Sequence, residues 1–318
     1  MTSYIIRRLS MGVVVIFIVT VMVFLFIRLL PGDPLTIYLN KTDMQQLTEE
    51  QLFELRVKFG LEKPLPMQYV DWIGGLFKGD MGQSVYYNID VRLLMTERLP
   101  VTLYLGALAF VISGVLGISF GVICALKRGT WVDTLVTLLA NIGITMPSFW
   151  VGIILIYLLS VKAGWLPVSG FISPFENFWE STRRIIMPVT CLALFPVASL
   201  TRLTRSSMLE VIQQDYIRTA WSKGLKERLI VSRHTIKNAL IPVITVVGLQ
   251  VAFIFGGSVL IESVFNINGI GRLATQAVQN QDYLVVQAVT LVIAIMVVLS
   301  NLIVDISYGW LDPRIRYD

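Results

Sequence analysis

Charge is what this sequence has least of. Only 15% of its 318 residues are Asp, Glu, Lys or Arg, against about 25% in an average soluble domain. Hydrophobic residues make up 55%, and the mean hydropathy is +0.72. Over this length those values exclude an ordinary soluble enzyme, a disordered chain, a collagen-like chain and a coiled coil, and they point to a polytopic membrane protein. Two cysteines, Cys124 and Cys191, cannot build a disulfide framework. The single histidine, His234, is part of no His-Glu-x-x-His motif and lies outside every long apolar run, which removes the usual means of intramembrane proteolysis. No Gly-Lys dipeptide occurs, so there is no P-loop and no nucleotide site of that kind.

Long charge-free runs are what is present. A bilayer core about 30 Å thick needs about 20 apolar residues at about 1.5 Å each. Six runs qualify: 9–30 (interrupted only by Arg28), 101–126, 134–161, 185–201, 238–261 and 283–304. Backbone in lipid must satisfy its own hydrogen bonds, so runs of this length are expected to be helices. The fourth is the weakest, with 17 residues and both Pro188 and Pro196. The first follows Arg7-Arg8 like a signal peptide, but it is longer than the about 7–15 residues of a signal core and no small-residue cleavage site follows it. It is expected to stay as the first helix. Arg28 sits near a helix end and Asp305 just past the last run, so mid-membrane acids of the kind secondary transporters use are missing.

Basic residues set the orientation. With the N-terminus inside, the segments 1–8, 127–133, 202–238 and 309–318 hold 14 Lys and Arg in 62 residues. The opposite segments, 31–99, 162–184 and 262–283, hold 11 in 114. The positive-inside rule therefore predicts both termini in the cytoplasm.

Two loops carry local signals. In 31–99, Thr48-Glu49-Glu50-Gln51 is a capping-box pattern, followed by Leu52, Leu55 and Phe59 at helical spacing and Gly60 as a stop. A second short helix is expected near Pro66, with Tyr69, Trp72, Ile73 and Leu76 on one interfacial face. In 202–238, Asp215 is expected to cap a short helix through Lys223, and Gly224 to end it in a left-handed conformation. A further helix from about Leu225 would pass Arg228 and His234 into the fifth span, with Pro242 just inside it. Within the spans, Ser113, Gly117 and Gly121 form a small-residue stripe that lets helices approach closely. Pro147 and Pro196 are expected to kink the third and fourth spans.

Taken together, the motifs resemble a known family. Tyr4-Ile5-Ile6-Arg7-Arg8, Leu30-Pro31-Gly32-Asp33-Pro34, Phe59-Gly60-Leu61, Gly79-Asp80-Met81-Gly82-Gln83-Ser84 and Glu97-Arg98-Leu99-Pro100 come first. The most specific stretch is Asp215-Tyr216-Ile217-Arg218-Thr219-Ala220-Trp221-Ser222-Lys223-Gly224-Leu225, with Arg233-His234 and Asn238-Ala239-Leu240-Ile241-Pro242 after it. Glu262-Ser263-Val264-Phe265, Gly269-Ile270-Gly271 and Tyr308-Gly309-Trp310-Leu311-Asp312-Pro313-Arg314 close the set. The chain resembles the membrane permease subunits of bacterial ABC importers for dipeptides and oligopeptides, nearly end to end. It departs from the general EAA loop by placing Arg218-Thr219-Ala220 where Glu-Ala-Ala is usual, and Trp221 where the peptide branch more often has a basic residue.

The resemblance implies an all-α membrane protein with six transmembrane helices of the type I ABC importer permease fold. Residues 1–30 would form the N-terminal end and first helix, 31–99 a small, mostly helical external domain, 100–308 the core with the coupling loop at 202–238, and 309–318 a cytoplasmic tail. It implies a place in the bacterial cytoplasmic membrane beside a homologous second permease, two cytoplasmic ABC ATPases and an external solute-binding protein, with lipid around it and no nucleic acid. ATP and Mg would be bound by the ATPases and no cofactor by this chain. Asp215, Tyr216, Arg218, Thr219, Ala220, Trp221, Lys223, Gly224 and Leu225 would meet the ATPase. Gln250, Ser258, Thr290 and Asn301 are polar candidates for the substrate path. Near relatives carry nickel complexes, glutathione or oligosaccharides, which stand as alternative cargo. A passive channel or secondary transporter is the alternative of a different class.

Overall fold

The computed structural model describes residues 2–29, 53 and 62–311. The capping-box expectation at 48–60, apart from residue 53, lies outside them, as do the motifs at 30–34 and 59–61 and the last seven residues.

The described residues are almost wholly helical. In chain order the helices are α1 (Thr2–Leu29), α2 (Leu65–Phe77), α3 (Val91–Leu126), α4 (Trp131–Thr145), α5 (Ser148–Leu155), α6 (Phe178–Ile212), α7 (Asp215–Ser222), α8 (Glu227–Leu229), α9 (Ile236–Val264), α10 (Ile270–Gln279) and α11 (Tyr283–Leu311). Two π-helical segments, Ile156–Lys162 and Ile230–Thr235, continue α5 and join α8 to α9. Five of these rods are long and apolar enough to cross a membrane, and a sixth span results if α4 and α5 count as one.

That sixth span differs from the expected kinked helix. α4 and α5 meet at 106°. The cause is local: the ring of Pro147 pushes the preceding residue out of the helical region, and Met146 is extended at φ −81 and ψ 130. Pro188 and Pro196, by contrast, lie inside one unbroken helix, α6.

The weakest span by hydropathy sits at the centre. Its apolar window is 61% buried, against 28% for α3. Ile185, Met187, Leu192 and Ala193 of α6 pack with Leu105 and Ala109 of α3 and Ile254 and Ile261 of α9. The small-residue stripe makes this possible. A Cβ on Gly117 would stand 2.7 Å from Leu200 Cβ, and one on Gly121 would collide with Thr204. A helix wrapped by protein does not need a lipid-like surface, which is why its sequence reads as short and polar. Below this seam Asp133 receives Arg205 in a two-pronged pair, Nε at 2.7 Å and Nη2 at 2.9 Å, which fixes the start of α4 to α6.

A second core lies where α3 begins. Val91, Leu94 and Met95 meet Ile270, Leu273 and Ala277 of α10 and Val285 and Val289 of α11. α3 starts on its Asp90 cap, which accepts from Arg92 N at 2.7 Å. α2 is where the spacing predicted it, and its Tyr69 and Trp72 pack on Phe24 of α1. α10 lies in a segment for which no helix was expected.

Candidate functional site

The segment between α6 and α9 begins with a tight helix. Gln214 precedes α7 in extended conformation, so Asp215 is the first helical residue and not its cap as expected. Its carboxylate lies 3.7 Å from Arg218 in a fully exposed pair that adds little to stability. The other end follows the sequence. Gly224 takes φ +74, its N–H donates to Trp221 O at 2.9 Å, and Leu225 N–H donates to Ala220 O at 3.4 Å. These two bonds form a Schellman stop, which requires the left-handed residue.

One face of α7 is anchored and the other is open. Ile217 and Ala220 are buried against Val211 and against Ile230 at the start of the second π segment. Tyr216, Arg218, Thr219, Trp221, Lys223 and Leu225 are exposed. The structure thus places Ala220 in the packing of α7 and leaves the other named residues of the loop exposed. Asn238 ties this unit to α9: its side-chain N–H donates to Tyr216 OH at 3.2 Å and to His234 O at 2.7 Å. α7 is thus linked to α9 through Ile230 and Asn238.

A cavity of about 420 Å³ opens at mid-bundle. It lies at the α4–α5 break, lined by Met146 and Ser148, and is bounded by Leu192, Phe195 and Pro196 of α6 and by Phe253, Gly256 and Gly257 of α9. Phe195 and Phe253 close one side with ring centroids 4.9 Å apart. Among the described residues, none with a charged side chain lines it. Nothing lies within 4 Å of a Cβ placed on Gly256. Leu249, Phe253 and Leu260 are exposed on α9 and share a helical face with Gly256.

None of the polar residues singled out for a substrate path lines this cavity. Gln250 and Ser258 are buried in the bundle, where Ser258 donates to Phe255 O at 2.8 Å. Thr290 donates to Val286 O at 2.8 Å, and it shares α11 with Asn301; α11 packs beside α1.

Sequence reasoning missed a buried carboxylate. Glu262 at the end of α9 is fully buried. It accepts from Thr102 Oγ1 at 2.6 Å and from Arg272 N at 2.9 Å, while Thr102 Oγ1 accepts from Ile270 N at 2.9 Å. Three helices are pinned at once: α3, α9 and the N-terminus of α10. A Cβ on Gly269 would collide with the Glu262 carboxylate, and one on Gly271 would stand 2.7 Å from Val259 Cα. The sequence did hold a signal, an acid seven residues before a Gly-Ile-Gly triplet. Asp282 plays a similar part for α11, accepting from Ser84 Oγ at 2.5 Å and Tyr86 N at 3.1 Å.

Known proteins share this plan. The chain is 39% identical, over 100% of both lengths, to the oligopeptide transport system permease protein AppB of Bacillus subtilis. It is 40% identical to the di/tripeptide transport system permease protein DppB of Pseudomonas aeruginosa, over 100% of this chain and 99% of that one. It is 39% identical, again end to end, to a probable peptide ABC transporter permease protein of Sinorhizobium fredii. Among solved structures, an inward-facing form of the MetNI methionine ABC transporter matches with a TM-score of 0.55 at 17% identity, covering 69% of this chain and 97% of that one. That likeness shows the type I ABC importer permease fold. Residues 117–317 match the model of the binding-protein-dependent transport system inner membrane component, and residues 1–106 match the model of its N-terminal region. With matches over both halves and full-length relatives, the chain belongs to the family of binding-protein-dependent transport system inner membrane components.

Proposed function

We propose that this chain is the permease subunit of an ATP-driven importer that, with a second related permease, forms the membrane passage for peptide uptake. Two cytoplasmic ATPases bind ATP and Mg and grip the exposed face of α7, and an external binding protein delivers the substrate. Both termini face the cytoplasm, as the density of Lys and Arg indicates. The carrying observation is α7 itself. It is a short helix held from below by Ile217 and Ala220 and stopped at Gly224, with Tyr216, Arg218 and Trp221 exposed around it. Aromatic residues and arginine are the usual anchors of a protein interface. ATP moves such an assembly only through its different affinities for two states, and α7 is the contact that carries the difference to α9.

Peptide cargo is supported by the names of the full-length relatives. The uncharged mid-bundle cavity fits it as well, because a peptide read through its main chain needs no fixed countercharge in the membrane.

Substitutions at two positions test the coupling. No atom lies within 4 Å of a Cβ on Gly224, so any cost of replacing it is conformational. Gly224→Val is expected to abolish ATP-coupled uptake, because a β-branched residue resists φ +74. Gly224→Asn, which tolerates that region, retains it. Trp221→Ala is expected to weaken ATPase association by about 2 kcal/mol, read by titrating the ATPase onto the permease pair. Uptake by the valine variant equal to wild type refutes the role given to α7. The cargo is tested separately by heating the cognate binding protein with dipeptides and oligopeptides. A ligand at 100 times its Kd should stabilise by about 2.7 kcal/mol. A melting shift by a metal complex or oligosaccharide, with none by peptides, overturns the peptide assignment.

A further inference from the structure

One face of α6 runs on from the mid-bundle cavity toward the cytoplasm. Residues seven apart on a helix share a face and stand about 10 Å apart along it. Two such pairs on α6 mark the direction. Ala198 and Arg205 both meet α4: a Cβ on Gly143 would stand 3.1 Å from Ala198 Cβ, and Arg205 is paired with Asp133. Phe195 and Arg202 are the neighbouring pair, and Phe195 lines the cavity against Phe253 of α9. Arg202 therefore stands on the cavity face, in the gap between α4 and α9, about 10 Å to the cytoplasmic side of Phe195.

The α9 wall agrees with this level. α6 and α9 run antiparallel, since Leu192 approaches Gly257 and Phe195 approaches Phe253. Seven residues back from Phe253 is Val246, and Thr245 and Leu249 beside it are exposed. The groove is thus uncovered on the α9 side where Arg202 stands.

The groove holds one charge without a counterion. Along α4 and α5, between 185 and 204 on α6, and between 238 and 261 on α9, the charged residues are Asp133 and Arg202. Asp133 is satisfied by two hydrogen bonds from Arg205. Arg202 is exposed, and among the described residues it makes no ion pair or hydrogen bond. A cation that served only to orient α6 could stand on any face of the helix; this one stands on the cavity face. At the end of an uncharged cleft with low-dielectric walls, its field is focused into the cleft and draws an anion along it. A guanidinium also offers a carboxylate two parallel hydrogen bonds.

A linear peptide with a free C-terminus carries such an anion, its terminal carboxylate, and no cation lines the cavity to meet it. We propose that Arg202 receives this carboxylate at the inner mouth of the passage, so that the peptide leaves the cavity carboxylate end first. The proposal rests on the peptide-import reading and on the orientation given above. It makes Arg202 a residue that favours free acids over peptides with a blocked C-terminus.

The test uses the complete transporter with its binding protein and ATPases, reconstituted in vesicles with ATP on the cytoplasmic side. Labelled trialanine is offered as the free acid and as the C-terminal amide. Arg202→Gln is expected to lower uptake of the acid relative to the amide about tenfold, and Arg202→Lys to keep most of the preference. The binding protein is the same throughout, so its own selectivity cancels between variants. The acid alone should already rank the variants in falling order, lysine, glutamine, then glutamate at 202. The glutamine variant should melt with the wild type and keep its stimulated ATP hydrolysis, since Arg202 has no partner in the fold to lose. Wild-type uptake of the acid by the glutamine and glutamate variants, or an equal loss of acid and amide, overturns the proposal and leaves peptide import standing. No uptake of either peptide by the wild type overturns both.

Discussion

Glu262→Ala is expected to lower the stability of the solubilised protein by about 3 kcal/mol or more and to release α10 from the bundle. The carboxylate is fully buried and receives Thr102 Oγ1 and Arg272 N. Truncation strands both donors in an apolar setting, and each unmet donor costs about 1–3 kcal/mol. Glu262→Gln should fall between the unsubstituted protein and Glu262→Ala. Its amide oxygen still accepts from Thr102, but its NH2 group cannot accept from Arg272 N. Gly271→Ala is expected to match the alanine loss at 262, because its Cβ would stand 2.7 Å from Val259 Cα, a backbone atom that cannot swing aside. Melting of the purified protein reads the magnitude, and hydrogen exchange at 270–279 reads the place. Unchanged values for both in Glu262→Ala would show that α10 is held by its apolar face alone.

Gly256→Trp is expected to reduce uptake to near background while leaving the folded permease and its ATPase contacts intact. Like Gly74 and Gly114 it is a helix glycine with open space where a side chain would go, and of the three it is the one that lines the cavity. Gly121 is the contrast: a side chain there would strike Thr204 and separate α3 from α6. An indole at 256 would enter the cavity of about 420 Å³ between Met146, Phe195 and Phe253, so the substitution tests passage apart from folding. Binding-protein-stimulated ATP hydrolysis should continue with uptake lost. Uptake at the wild-type level would place the substrate route elsewhere on the bundle.

Much of this architecture is legible in the sequence because membrane and helix physics act locally. The six charge-free runs map onto α1, α3, the α4–α5 pair, α6, α9 and α11. Gly224 is legible because a left-handed stop leaves glycine as the natural residue. The misreading of Asp215 is a register error of one residue, since an acid at the first turn and an acid at the cap look alike in a string of letters. The candidate path residues lie away from the mid-bundle cavity for a different reason. Polarity marks a place where hydrogen bonds are made, and Ser258 and Thr290 make theirs to their own helices. The cavity is lined mostly by apolar residues, glycines and a proline, with Ser148 and Cys191 among them, a set with no distinctive chemical label. Glu262 was visible as a motif, but its partner Thr102 lies 160 residues away. No local pattern announces that contact.

The central position of α6 has a consequence for how the polypeptide is made. Its apolar window averages 1.6 in hydropathy, the lowest of the five single rods, where α1 reaches 2.9. A nascent segment of that kind partitions poorly from the translocon into bare lipid. Its groove, however, is already built: α3, with Gly117 and Gly121, and α4, with Asp133, are synthesised before it. Biogenesis then runs in order, each earlier rod acting as an intramolecular chaperone, and damage to the α3 groove would surface first as a topology defect in α6.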